Sequence, residues 1–269
     1  MPSLSSRKQS ACCRWQERLV LPYLAAALML LVWQGAAMSG LVRPVLLPAP
    51  ADVLAALYGM LCSGELFRHL AASLGRVVSG FAIAAALGIS LGIAMGMSAR
   101  CELVLQGVMQ FFRPIPPIAW LPLAVLWFGI GEGSKVFIIV LGSFFPIYTN
   151  VLQGVWQVSG KYLEVAEMFQ VSRGRLLRQV ILPSVLPYIL AGCRSGLGYA
   201  WMCILAAELT SGLLGIGYLL VDARALAQTD RVMAGMAVIG ITGKVMDSLL
   251  AMLLDAGKGV RVWKKKIAA

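Results

Sequence analysis

The sequence predicts an all-α integral membrane protein with six transmembrane helices, and three observations carry that prediction. Only 13% of the 269 residues are charged, where a soluble domain carries about 25%. The mean hydropathy is +0.82. Apolar runs of about 20 residues, the length that crosses a hydrocarbon core as a helix, recur along the chain.

The spans read as Leu19–Met38, Arg76–Met97, Leu103–Phe128, Lys135–Val155, Pro187–Thr210 and Arg231–Asp255. They divide the chain into an N-terminal tail (1–18), a first span with an outer segment (19–75), a five-helix core (76–255) containing a cytoplasmic loop (156–186), and a basic tail (256–269). RKQSACCRWQER precedes the first span. Its apolar run is too long for a signal peptide and no A-x-A site follows, so it reads as an uncleaved anchor.

The second span places Gly80, Ala84, Gly88, Gly92 and Gly96 at a spacing of four. Small residues on one helical face let two backbones approach closely in lipid. The third contains Pro114, Pro116, Pro117 and Pro122, each of which removes a donor and clashes one turn back. Non-helical backbone at membrane depth is tolerated only against protein or a watery cavity. This span therefore belongs inside the bundle, which favours a transport pathway over a simple anchor.

Basic residues collect on the cytoplasmic side. With the N-terminus inside, that side holds Arg7, Lys8, Arg14, Arg18, Arg100, Lys161, Arg173, Arg175, Arg178 and the C-terminal cluster from Lys258 to Lys266. The opposite face holds Arg43, Arg68, Arg76, Lys135, Arg224 and Arg231. Both termini are thus cytoplasmic, and the net charge of +11 reflects membrane topology. No basic stripe with interleaved aromatics indicates nucleic acid. In a bacterial inner membrane only Cys62 faces the periplasm, so no intrachain disulfide is expected.

Several chemistries are excluded. No Cys-x-x-Cys pair is present, and the lone His69 excludes a His-rich metal site; it reads as a solvated or capping histidine. Every Gly-Lys pair lacks the Ser or Thr of a phosphate-binding loop, so ATP is not bound here through a Walker A motif. GCRSG (Gly192–Gly196) has the wrong spacing for a nucleophile elbow.

The cytoplasmic loop is basic and amphipathic. Lys161–Gln170 forms a short helix with Tyr162, Val165, Met168 and Phe169 as apolar contacts. Ser172-Arg173-Gly174 supplies a turn, and Leu176, Leu177 and Val180 recur at helical spacing until Pro183 ends the second piece. Such a pair lies on lipid or docks into a partner's groove. Residues 48–61 and 219–228 are also amphipathic and lie along the outer surface.

The loop resembles the EAA loop of binding-protein-dependent ABC transporter permeases: Glu164, Val165, Ala166, then Gln170, then Val180-Ile181-Leu182-Pro183. ASLGRVVSGF, RPIPPIAWLPLAVLWFGIG, SKVFIIVLGSFFPIYTN and GIGYLL extend the similarity, which covers Leu19–Lys266 and points to the nitrate/sulfonate/taurine branch. The resemblance implies a six-span type I importer core, usually paired with a second copy. Two separate ATPase subunits, which hold ATP and magnesium, engage the loops, and a periplasmic binding protein delivers the solute. No catalytic residue, metal or cofactor is expected on this chain. Glu164, Val165, Ala166, Gln170, Arg173, Leu182 and Pro183 are the implied coupling residues. Val165 stands where the pattern has Ala and Gln170 where it has Gly. Gln170 either extends the first helix by a turn or matches a diverged ATPase.

Charges within spans invite a functional reading. Lys244 and Asp247, three apart, are expected to pair. Arg113 and Arg194 either snorkel or supply positive charge to a pathway for an anion. Glu208 is a candidate for a gate or a binding-protein contact. Trp120, Trp127, Tyr148, Asn150 and Trp201 are candidates for a cavity lining or for packing. The alternative function is an ion-coupled secondary carrier acting without an ATPase.

Overall fold

A computed structural model describes residues 24–25, 27–39, 43, 45–158, 160, 164, 166, 168–210 and 213–267, with side chains excluding 173 and those from 254 on. The N-terminal tail, the start of the first span and the basic C-terminal side chains therefore lie outside the described residues.

The described residues form helices. The short apolar α1 (Ala27–Met38) precedes α2 (Pro50–Cys62), α3 (Glu65–Met97), α4 (Ala99–Phe112), a 3₁₀ turn (Pro117–Trp120) and α5 (Leu121–Phe128). Then come α6 (Glu132–Trp156), the four-residue α7 (Arg173–Leu176), a π turn (Leu177–Ile181), α8 (Leu182–Thr210), α9 (Ile216–Ala225) and α10 (Thr229–Ile267). Four helical runs are long and apolar enough to cross a membrane: α3, α6, residues 174–210 and α10 to Leu253. In the third predicted span the proline cluster bends α4 against Pro117–Phe128 by 89°; counted as one span, this pair makes a fifth among the described residues.

The second span begins earlier than the sequence suggested. α3 has 33 residues, about 50 Å at 1.5 Å per residue, so its first turns extend beyond a hydrocarbon core of about 30 Å. Leu66, Ser73, Val77 and Gly80 form one buried face, and Arg76 joins them at 7% exposed. Arg76 thus lies within the helix, buried against other helices, and does not begin it. Lys135 is likewise buried, at 3%. Arg76 faces Glu132 and Glu208, and Lys135 faces Glu132.

α6 packs between α3 and α8, and small residues set both separations. A Cβ at Gly80, Gly92 or Gly96 would stand 2.7 Å from Ile139, 2.9 Å from Val151 or 2.6 Å from Val155. On the other side, Gly196 meets Ile147 at 2.7 Å, and Gly154 meets Tyr188 at 2.6 Å. The predicted stripe is therefore the α3–α6 seam. Backbones this close gain dispersion contacts that lipid chains cannot supply.

The outer pieces are packed, not loose. Val53 and Met60 of α2 and Ile216 and Leu219 of α9 join Trp201, Ile204 and Val238 in one apolar cluster. His69 sits within α3 and bonds through Nδ1 with Gly215, the N-cap residue of α9, 2.9 Å from its carbonyl and 3.1 Å from its N–H. Large apolar side chains such as Leu103, Val104, Phe111, Leu126 and Met252 remain exposed, as a surface solvated by lipid allows.

Candidate functional site

The loop after α6 has helical backbone at Glu164, Ala166 and Met168. Ala166 is buried, while Glu164, Met168 and Phe169 face outward. Gln170 has φ 50, and the Val171 N–H donates to the Ala166 carbonyl at 2.9 Å. A left-handed residue followed by a six-to-one bond is a Schellman cap. Gln170 therefore stops the helix instead of extending it, and adopts the conformation for which glycine is favoured. Val165 and the Arg173 side chain lie outside the described residues.

Pro183 does not end the second helix. α7 leads through the π turn into α8, where the Leu182 N–H donates to the Leu177 carbonyl. That wider turn accommodates a proline ring that would press on the carbonyl four residues back. Helix continues from Gly174 to Thr210. Leu176 and Leu177 pack against Val155, Ile181 and Val185, so the loop's apolar stripe lies on the bundle.

Two cavities adjoin the broken span. One of about 350 Å³ is lined by Arg113, Thr149, Asn150, Ser195 and Tyr199, among others. Its neighbour, about 210 Å³, is lined by Met109, Phe112, Trp120 and Phe144. Ile115, Pro117, Leu141 and Phe145 border both. Asn150 donates to the Pro146 carbonyl at 2.8 Å, which leaves its second N–H for the cavity. Among the predicted pathway residues, Arg113, Asn150 and Trp120 reach this place. Tyr148 is core instead, donating to Met95 Sδ at 3.3 Å, and Trp201 is core, donating to the Ile239 carbonyl at 3.2 Å. Thr149, Ser195 and Tyr199 were not anticipated; Ser195 and Tyr199 lie four apart on α8, each three positions after a glycine, Gly192 and Gly196.

Glu208 belongs to a buried charge cluster at the other end of the bundle. It accepts from Arg76 Nη1 at 2.6 Å, from Ser73 Oγ at 2.8 Å and from the Gly217 N–H at 3.0 Å. Arg76 also grips Glu132 through Nε and Nη2, the latter at 2.7 Å, and donates to the Leu214 carbonyl at 2.7 Å. Lys135 stands 3.5 Å from Glu132. No buried side-chain nitrogen or oxygen among the described residues lacks a partner.

The expected Lys244–Asp247 pair is replaced by another. Asp247 accepts from Arg194 Nε at 2.6 Å and Nη2 at 2.7 Å. The guanidinium fork of α8 offers two parallel bonds that a lysine on the same helix cannot match.

A helical bundle with a broken span and a polar cavity fits the membrane-embedded component of a transporter. The chain belongs to the family described as the binding-protein-dependent transport system inner membrane component, whose sequence profile matches residues 84–256. It is a permease of that kind, an integral and non-enzymatic membrane component. It is 39% identical over 239 residues to the putative aliphatic sulfonates transport permease protein SsuC of Bacillus subtilis, covering 89% of this chain and 85% of that one. Against the taurine transport system permease protein TauC of Escherichia coli it is 39% identical over 251 residues, 91% and 88% of the two chains. The bicarbonate transport system permease protein CmpB of Synechococcus elongatus is 34% identical over 261 residues, 91% and 93%. A crystal structure of an amino acid ABC transporter with histidines shares the fold, with TM-score 0.58 at 18% identity over 74% of this chain and 96% of that one.

Proposed function

We propose that the protein is the permease of an ATP-driven importer for a sulfonate, taurine, nitrate or similar small solute. It works as a six-span type I core whose first span is Leu19–Met38, with both termini in the cytoplasm and the loop at 156–186. Two copies form the pathway. Two separate ATPase subunits, carrying ATP and magnesium, engage the two loops, and a periplasmic binding protein delivers the solute. Lipid surrounds the bundle. The domain boundaries at 18, 75 and 255 follow from this arrangement.

The observation that carries the reading is the unbroken helical run from Gly174 to Thr210. It starts at the loop and carries Ser195 and Tyr199, which line the polar cavity. A push at the loop is therefore delivered to the cavity wall as a rigid-body movement, as alternating access requires. Glu164, outward-facing, is the contact to the ATPase, and Ala166 and the Gln170 turn shape the short helix.

Mass spectrometry of proteins that co-purify with a tagged copy from its host is the test. Recovery of an ATPase with a Walker A motif, together with uptake that needs it, supports the proposal. Uptake by the chain alone, without ATP, would favour a secondary carrier. Of the charges read within spans, Arg194 pairs with Asp247, and Glu208 pairs with Arg76.

A further inference from the structure

We propose that the link between α8 and α9 is a proton-sensitive latch, closed by the neutral ring of His69 and released when that ring takes a proton. The latch goes beyond the importer reading, since it is a property of this chain whatever solute is carried.

One face of α3 holds the link residue by residue. His69, Ser73 and Arg76 recur at i, i+4 and i+7, the spacing of a single helical face. Arg76 Nη1 donates to the Leu214 carbonyl at 2.7 Å, His69 Nδ1 meets Gly215, and Ser73 Oγ accepts from the Ile216 N–H at 3.0 Å. Glu208, near the end of α8, accepts from the Gly217 N–H at 3.0 Å. Side chains thus tie every residue from Leu214 to Gly217. The second glycine of this Gly-Ile-Gly has a steric reason, because a Cβ at Gly217 would stand 2.7 Å from Glu208 Cβ.

His69 is the member of this ladder suited to respond to pH, since histidine ordinarily titrates between about pH 5 and pH 8. Its Nδ1 lies 2.9 Å from the Gly215 oxygen and 3.1 Å from the Gly215 nitrogen. That oxygen already accepts the Leu219 N–H at 3.0 Å, the first bond of α9. The Gly215 N–H has no acceptor besides Nδ1 among the described residues. Backbone donors withdrawn from water are paired, so Nδ1 accepts and the ring proton sits on Nε2. Protonation turns Nδ1 into a donor facing a donor. It also sets a positive charge at the N-terminus of a ten-residue helix, whose dipole disfavours cations there.

The surroundings do not rescue the charged ring. Glu65, one turn earlier on α3, is held by Arg231 of α10. Glu208 of α8 and Glu132 of α6 are held by Arg76, and Glu132 also faces Lys135. Arg68 precedes His69 on the exposed side of α3. On α9, Tyr218 stacks on the ring with centroids 6.1 Å apart, and Asp222 follows one turn later. No carboxylate among the described residues bonds the imidazole. The ring is partly exposed, so protons reach it.

Hydrogen–deuterium exchange of the full-length protein in lipid nanodiscs, read on peptides spanning 213–222 at about pH 5.5 and about pH 7.5, tests the latch. Protection factors, corrected for intrinsic exchange, should fall about tenfold at the lower pH in the parent. His69→Asn, whose side-chain carbonyl replaces Nδ1 and carries no charge, should stay protected at both. His69→Leu, with no acceptor, should be unprotected at both; if it does not fold, the comparison of the parent with His69→Asn decides. Equal protection of the parent at the two pH values, or an equal acid loss in His69→Asn, would overturn the proposal. ATP-driven uptake is read separately, and on the importer reading it slows in acid for the parent but not for His69→Asn. Uptake that persists with an unresponsive link keeps the importer reading and removes the latch. A responsive link in a chain that needs no ATPase keeps the latch and removes that reading.

Discussion

Arg76 on α3 donates to Glu208 on α8 at 2.6 Å, and both side chains are interior, at 7% and 1% exposed. Together with the Ser73–Glu208 bonds the pair ties α3 to α8, and it also fixes the segment after α8 through the Leu214 carbonyl and the Gly217 N–H. Gly215 must be small there, because a Cβ would stand 2.2 Å from the Glu208 carboxyl carbon.

Removing Arg76 leaves Glu208 buried without an ion pair, at a cost of about 3–5 kcal/mol, whereas removing Glu208 leaves Arg76 paired with Glu132 alone. Arg76→Leu and Glu208→Leu should each lower the thermal midpoint of the detergent-solubilised protein by many degrees, and the double variant should recover much of the loss. Additive losses in the double variant would mean that the two charges do not depend on each other.

The α3–α6 seam gives a paired test on one helix. Gly96→Ala places a Cβ 2.6 Å from Val155, whereas Gly75→Ala meets open space. Overpacking costs about 1–3 kcal/mol, while alanine for glycine in an unobstructed helix gains about 0.5–1 kcal/mol. Thermal unfolding should therefore move in opposite directions for the two variants. A shared direction would mean that the close approach of α3 and α6 is wrong.

Much of this architecture was legible in the sequence because it follows from periodicity and sterics. The stripe from Gly80 to Gly96 announced a close helix seam, and Pro114 to Pro122 announced a broken span. The Arg76 cluster was not legible. Charge near an apolar boundary reads as the end of a span, and only the fold brings Glu132 and Glu208 to Arg76 from far along the chain. The cavity was partly legible: Arg113, Trp120 and Asn150 stood out by residue type, whereas Thr149, Ser195 and Tyr199 depend on which faces of α6 and α8 converge. Gln170 was ambiguous, since a left-handed turn at a non-glycine residue leaves no sequence signal.

The partner of Asp247 can be settled by substitution. Arg194→Gln should perturb the protein as much as Asp247→Asn does, and combining them should add little, because both remove the same two hydrogen bonds. Lys244→Gln should have a smaller effect. A double-mutant cycle on thermal stability measures the coupling. Strong coupling of Asp247 to Lys244 instead of Arg194 would restore the pairing expected from helical spacing.

The turn at Gln170 carries its own prediction. A left-handed conformation costs an L-residue about 1–2 kcal/mol, so Gln170→Gly should keep ATP-driven uptake and make the loop more resistant to proteolysis. Gln170→Val, branched at Cβ, should lose both. Equal behaviour of the two variants would remove the left-handed turn from the account.

Glu164→Arg tests the coupling loop without touching the bundle. Glu164 is exposed and has no ion pair among the described residues, so reversing its charge should leave thermal stability within about 0.5 kcal/mol of the parent. If the side chain faces an ATPase groove, the variant should lose ATPase on co-purification and lose ATP-driven uptake. Ala166→Leu, which enlarges a side chain that is 7% exposed, should damage the same step by distorting the short helix. A stable Glu164→Arg protein that retains its ATPase and imports at the parent rate would place the docking contact elsewhere on the cytoplasmic face.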